Sequence, residues 1–170
     1  MVLEKTMDTL EAIMGRRSVR KFKDREISED MIDRILTASI WAPSGMNNQP
    51  WRFAVIKDRI LKSEIAGLSK NSDILRNAPV IIPVFMDTAV AYDSMKDSQT
   101  MGACIQNMLL AIHDIGLAGV WIGEIHNDEV RKLCQAPVEY DLVAIIALGY
   151  GDEVNKGQRI GLDQVVFTRQ

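Results

Sequence analysis

The sequence predicts an α+β fold in which helices pack around one sheet. Three observations carry this. Segments with helical spacing and segments of continuous apolar character are mixed along the chain without the strict alternation of a parallel α/β sheet. The run LVAIIALGY (142–150) is apolar enough to be a central strand covered on both faces. The 170 residues contain no repeat, low-complexity stretch or linker, so residues 1–170 read as one domain.

Each element has a local reason. Asp8 and Glu11 form a capped helix start, and Gly15 ends that helix. An extended segment, RRSVRKF, follows. Ser28 caps a second helix, EDMIDRILTASI, whose Met31, Ile32, Ile35, Leu36 and Ile40 follow helical spacing until Pro43 stops it. FAVIK (53–57) reads as a strand and 58–67 as a polar helix. PVIIPVFM (79–86) reads as a strand in which Pro83 cannot donate to a ladder, so an edge position or a bulge is expected there. A long helix over about 97–115 buries Met101, Cys104, Ile105, Met108, Leu109 and Ile112, and Gly116 ends it. AGVWIGE (118–124) reads as a strand, Asn127 caps a short helix to about 134, and the tail ends in a short strand, QVVFT.

Net charge is −3 and the pI about 5.4, which argues against broad nucleic-acid or anionic-membrane binding. No apolar run reaches transmembrane length, and the acidic start MVLEKTMDTLE is not a secretory signal. Cys104 and Cys134 form no C-x-x-C pair. A disulfide between them stays open, but a reducing cytoplasmic location suits the sequence better. His113 and His126 lack metal-ligand spacing, and His113 reads as a surface or boundary residue; no metal site is expected. Neither a Rossmann glycine fingerprint nor a P-loop is present, and no nucleophile motif stands out. An enzyme with so little reactive side-chain chemistry leans on a cofactor.

Two stretches remain. Arg16, Arg17, Ser18 and Arg20 concentrate cations and a hydroxyl in five positions, which suits a phosphomonoester; equally, basic residues after a helix C-terminus complement its dipole. In WAPSGMNNQPW (41–51), amide side chains that donate and accept suit a flat heterocycle, or form a plain turn.

Together, R-R-S-x-R, a second helix, P-S-x-x-N-x-Q-P-W and then a strand resemble the FMN-dependent nitroreductase family. The resemblance continues through NAPVII (77–82), DSQTMGACIQNMLLAIHDIGLAGVWIGE (97–124) and IALGYGDE (146–153), nearly the whole chain. It implies a mixed sheet flanked by helices in an intertwined homodimer, with two FMN sites in the interface. It implies that Arg16, Arg17, Ser18 and Arg20 hold the FMN phosphate and ribityl chain. Pro43, Ser44, Gly45, Met46, Asn47 and Gln49 would reach the flavin from the partner subunit. Asn71 would meet its pyrimidine edge, and Ile122, Gly123 and Glu124 would offer main-chain donors near N5. Gly149 and Gly151 fit the family's turn, and Arg159, or Lys156, would return to the phosphate.

The implied activity is ping-pong hydride transfer from NADH or NADPH through flavin N5 to a small electron acceptor such as a nitroaromatic or quinone. Arg16 would also stabilise reduced flavin. Dehalogenation, enone reduction, and a flavin-storing or sensing dimer with little turnover are the alternatives. The segment DTAVAYDSMK (87–96) is short where larger relatives insert a cover over the flavin; Tyr92 and Met95 line the pocket there or sit on an exposed loop.

Overall fold

The computed structural model describes residues 7–125, 127–153 and 156–169. The acidic start 1–6, His126 and the capping side chain of Asn127 lie outside what is described.

Four strands form one sheet in the order β1 (Trp51–Phe53), β2 (Val80–Asp87), β4 (Tyr140–Gly149), β3 (Ala118–Ile122). Their three ladders are antiparallel; the parallel pairing is a single bridge, Ser18 to Gly119. β2 and β4 are central, and alternation splits their side chains between two cores. Val80, Ile82, Val84, Ala144, Ile146 and Leu148 face α2 (Glu29–Ile40) and the long helix α5 (Ser94–Asp114). Ile81, Ile145 and Ala147 face the other core, which holds Ile65 of α3 (Arg59–Gly67), Leu75 of α4 (Ser72–Asn77) and Val130 of α6 (Asn127–Leu133). The continuous apolar run of β4 is the consequence of this two-sided burial.

Helix starts follow side-chain capping. Asp8 accepts from Leu10 N and Glu11 N before α1 (Thr9–Gly15). Ser28 caps α2, Asp58 caps α3, and Asp93 caps α5. α5 therefore begins three residues before the expected position. Gly116, at φ 77°, turns the chain out of it. α2 ends at Ile40, before Pro43 is reached.

Three expectations are corrected. FAVIK is not one strand: β1 ends at Phe53, and pairing resumes only at the Ile56–Ile81 bridge. Pro83 explains the break. Ala54 N donates to Pro83 O at 3.1 Å, but Pro83 has no N–H to return to Ala54. The proline sits in a central strand with its missing donor turned toward β1, and a register shift follows at Val84/Phe85. QVVFT is not a strand. Leu162–Val165 forms a short helix, α7, and the described residues after it have no strand partner in this chain. Finally, α4 arises where no element was expected; with Leu75 as its one buried residue, it carries no readable period.

Candidate functional site

The first group of site residues gathers at the N-terminal end of β3. α1 delivers Arg16 as its C-cap, and Arg17 Nη1 donates to Met14 O at 2.6 Å and Arg16 O at 2.8 Å. The chain then runs extended along the sheet edge. Val19 N donates to Gly119 O (3.1 Å), and Asp152 N to Lys21 O (2.9 Å). These bonds tie the 16–22 segment to β3 and to the turn that leaves β4, where Gly149 and Gly151 lie. They also bring in the C-terminal loop: a Cβ on Gly157 would lie 3.2 Å from Arg159 Nη1 and 3.4 Å from Arg17 Cδ. A cavity of about 430 Å³ opens here, walled by Arg16, Arg17, His113, Gly119, Glu153 and Lys156.

The electrostatics favour an anion. Partial burial, then repulsion from Arg159 and Arg17, pulls the Arg16 guanidinium below its ordinary value. Burial, then Arg16 and Arg17, likewise lowers the His113 imidazole, although Asp114 and Glu11 oppose this. Arg159 and Arg17 thus crowd Arg16, and a phosphate dianion would relieve that crowding. His113 is thus a half-buried wall of the cavity, the boundary placement of the two expected. Most of the chain separates it from Arg16 and Arg17, so no spacing rule could have found their proximity.

Arg20 does not join them. Along the extended segment side chains alternate, which puts Arg16, Ser18 and Arg20 on one face and Arg17 with the inward-turned Val19 on the other. The Arg20 backbone N donates to Glu153 Oε1 at 2.7 Å, but its side chain lines a separate groove beside α3 and α4. Arg16 and Arg17 thus wall the cavity from this segment and Lys156 from the C-terminal loop, with Arg159 beside Gly157, while Arg20 lines the neighbouring groove. Ser18 lies between, its backbone bridged to Gly119.

The second group sits at the far end of β3. Ile122 is buried in the core, while Gly123 and Glu124 are exposed. Ser69 Oγ donates to Glu124 O (3.3 Å) and accepts from Asn71 N (3.0 Å), so one hydroxyl joins Asn71 to this strand end. A Cβ on Gly123 would meet only Trp121 Nε1, at 3.8 Å, which leaves open space above its backbone. From Gly119 to Gly123 is roughly 13 Å along the strand.

The third group is remote from the first. Pro43, Ser44 and Gly45 form a cleft with Tyr92, Lys96 and Gln99 at the start of α5. Met46, Asn47 and Gln49 all have positive φ, at 51°, 56° and 48°. Ser44 Oγ accepts from Gln49 N at 3.2 Å. Gly45 is required by a close approach, since a Cβ there would overlap the Tyr92 hydroxyl. Tyr92 thus lines the cleft, whereas Met95 is exposed. Buried Asp97 locks the loop: its Oδ1 accepts from Asn48 Nδ2 (2.8 Å), and its Oδ2 from Tyr92 N and Asp93 N (both 2.8 Å). Burial alone would raise this carboxyl, but those hydrogen bonds outweigh it and hold it below its ordinary value. Asp97 was missed in the sequence, although a signal existed: it extends the buried stripe of Met101, Cys104 and Met108 by one turn as a charged residue. The start of α5 and His113 near its end are roughly 25 Å apart along the helix axis.

Among the described residues, no cluster of His, Cys, Asp and Glu is placed to hold a metal, and no helix is long and apolar enough to cross a membrane.

Comparison with known proteins bears on this geometry. The model of the nitroreductase family matches residues 13–150. A protein of Methanothermobacter thermautotrophicus, provisionally named NADH dehydrogenase/NAD(P)H nitroreductase, is 37% identical over 157 residues, covering 90% of this chain and 82% of its own. An iodotyrosine deiodinase of Thermotoga neapolitana is 29% identical over 164 residues, covering 81% of this chain and 86% of its own. The crystal structure of a provisionally named nitroreductase of Desulfovibrio desulfuricans, in complex with FMN, superposes with a TM-score of 0.86 at 36% identity, covering 97% of this chain and 99% of that one.

Proposed function

Because the chain belongs to the nitroreductase family, we propose that it is an FMN-dependent oxidoreductase, acting as a homodimer, that passes electrons from NADH or NADPH to a small electron-poor acceptor such as a nitroaromatic or quinone. The observation that carries this reading is the convergence of Arg16, Arg17 and Lys156 on one cavity beside the edge strand β3, with Arg159 near enough to repel Arg16. FMN, when bound, would supply the two-electron redox chemistry.

The chain's residues would do the holding. The crowded cations fit the phosphate, since charge-assisted hydrogen bonds to guanidinium are the strong class. The open backbone at Gly123 and the adjacent Asn71 lie farther along the same strand, where the flavin ring would rest. Ser44–Gln49 lies roughly 25 Å along α5 from His113, so within one protomer the loop does not reach the phosphate cavity. A two-fold copy packed antiparallel along α5 would bring one protomer's loop to the other's cavity. Exposed apolar residues support such packing: Leu10, Ile13 and Met14 on α1, Trp41 (80% exposed), and Phe167 (99% exposed) in the tail.

The test is an anaerobic visible spectrum of the FMN-reconstituted protein, before and after NADH or NADPH. Bound flavin that bleaches within seconds is expected. Failure to bind FMN, or bound flavin that neither donor bleaches, refutes the proposal.

A further inference from the structure

A second basic feature lies outside the flavin cavity. The groove between residues 20–24 and helices α3 and α4, about 580 Å³, is lined by Arg20, Lys21, Arg59, Lys62 and Arg76, with Asp24 as the one carboxylate among its lining residues. This concentration occurs on a chain whose net charge is −3. We propose that this groove is a second anion site, and that it takes the phosphomonoester of a phosphorylated nicotinamide dinucleotide donor. The proposal rests on the oxidoreductase reading above.

Lys62 is the strongest element of the argument. It is only 5% exposed, and its Nζ donates to backbone carbonyls, Ala78 O at 2.6 Å and Pro79 O at 3.2 Å. Burial, then repulsion from Arg59, lowers its ammonium, with Asp24 and Asp58 opposing. The existing carboxylate pairs are long and on the surface: Arg59 to Asp24 at 3.8 Å, and Arg76 to Asp73 at 3.6 Å. Such pairs contribute little and rearrange readily. Arginine forks that can turn inward match a dianionic phosphate, which accepts from several donors at once. Phe22 forms part of the wall and offers an aromatic face beside the anion.

Position selects the ligand. α4 carries Asn71 as its N-cap and Arg76 in its last turn, so the groove begins roughly 7.5 Å from the candidate flavin edge. An extended dinucleotide with its nicotinamide over Gly123 would carry its pyrophosphate past the mouth of the groove and the phosphomonoester of its adenosine end farther into it.

The test uses the FMN-loaded protein and the variant Arg59→Ala/Arg76→Ala, whose two side chains lie outside the flavin cavity. Flavin content and reduction by NADH are expected to be unchanged. The NADPH-to-NADH ratio of kcat/KM should fall about tenfold or more, and calorimetric binding of adenosine 2′,5′-bisphosphate should weaken about as much. The calorimetry decides the anion site even if neither donor reduces the flavin, so the two readings fail separately. Equal bisphosphate affinity in both proteins, or an unchanged donor ratio in active protein, overturns the proposal. So does inorganic phosphate that binds as tightly as the bisphosphate, because the groove would then read the anion alone.

Discussion

Substituting Asp97 by Asn probes what holds the Ser44–Gln49 loop in place. Asp97 is 0% exposed and accepts three hydrogen bonds, from Asn48 Nδ2, Tyr92 N and Asp93 N. An amide keeps one oxygen, so at least one of these donors faces an N–H instead. Hydrogen bonds to a charged group contribute about 1.5–3 kcal/mol each, and breaking a buried charged network costs about 3–5 kcal/mol. We expect a loss of about 3 kcal/mol. With an m-value of about 2 kcal/mol/M, the urea midpoint falls by about 1.5 M. The measurement is urea unfolding of FMN-loaded protein at one fixed protomer concentration, since assembly would otherwise shift the midpoint. The pH dependence has a definite sign. The folded carboxyl is held below its unfolded value, so its contribution is present above the unfolded value near 3.9 and is lost as pH falls through the folded one. The variant should lack that acid-sensitive component. A loss below about 1 kcal/mol, or an identical acid transition, would refute the latch.

Two further outcomes follow from the cavities and the core. Arg16→Ala with Arg159→Ala should weaken FMN binding about 100-fold or more, while Arg20→Ala alone should have a much smaller effect; equal effects in titrations followed by flavin fluorescence would contradict the separation of Arg20 from the cavity. Cys104 and Cys134 are both free, and burial pushes the Cys104 thiol up to about 12 and the Cys134 thiol up to about 11. Both should resist thiol reagents at about pH 8 and react on unfolding; rapid labelling of the folded protein would contradict their placement.

Much of the fold was legible because its signals are local. Asp8 and Ser28 mark helix starts by the same short-range hydrogen bonds that form in the structure. The two-sided burial of β4 is written in its unbroken apolar run. Signals failed where the outcome depends on distant partners. The valines of QVVFT have strand propensity, but among the described residues no strand pairs with them. Arg20 stands in the same motif as Arg16 and shares its parity in the extended segment, yet it lines a different groove, one that only the distant residues of α3 and α4 define. Lys156 shares a cavity with Arg17 although most of the chain separates them, a juxtaposition that sequence spacing does not carry.

Pro83 has a consequence for how the molecule avoids its own kind. An exposed strand edge is a template for another chain, and sheets of this size need a way to blunt it. By withholding one donor from Ala54, Pro83 keeps the outer strand to three residues. A newly made chain therefore presents little continuous edge for end-on growth into aggregates, and the safeguard lies in a central strand, one position inward from the edge it protects.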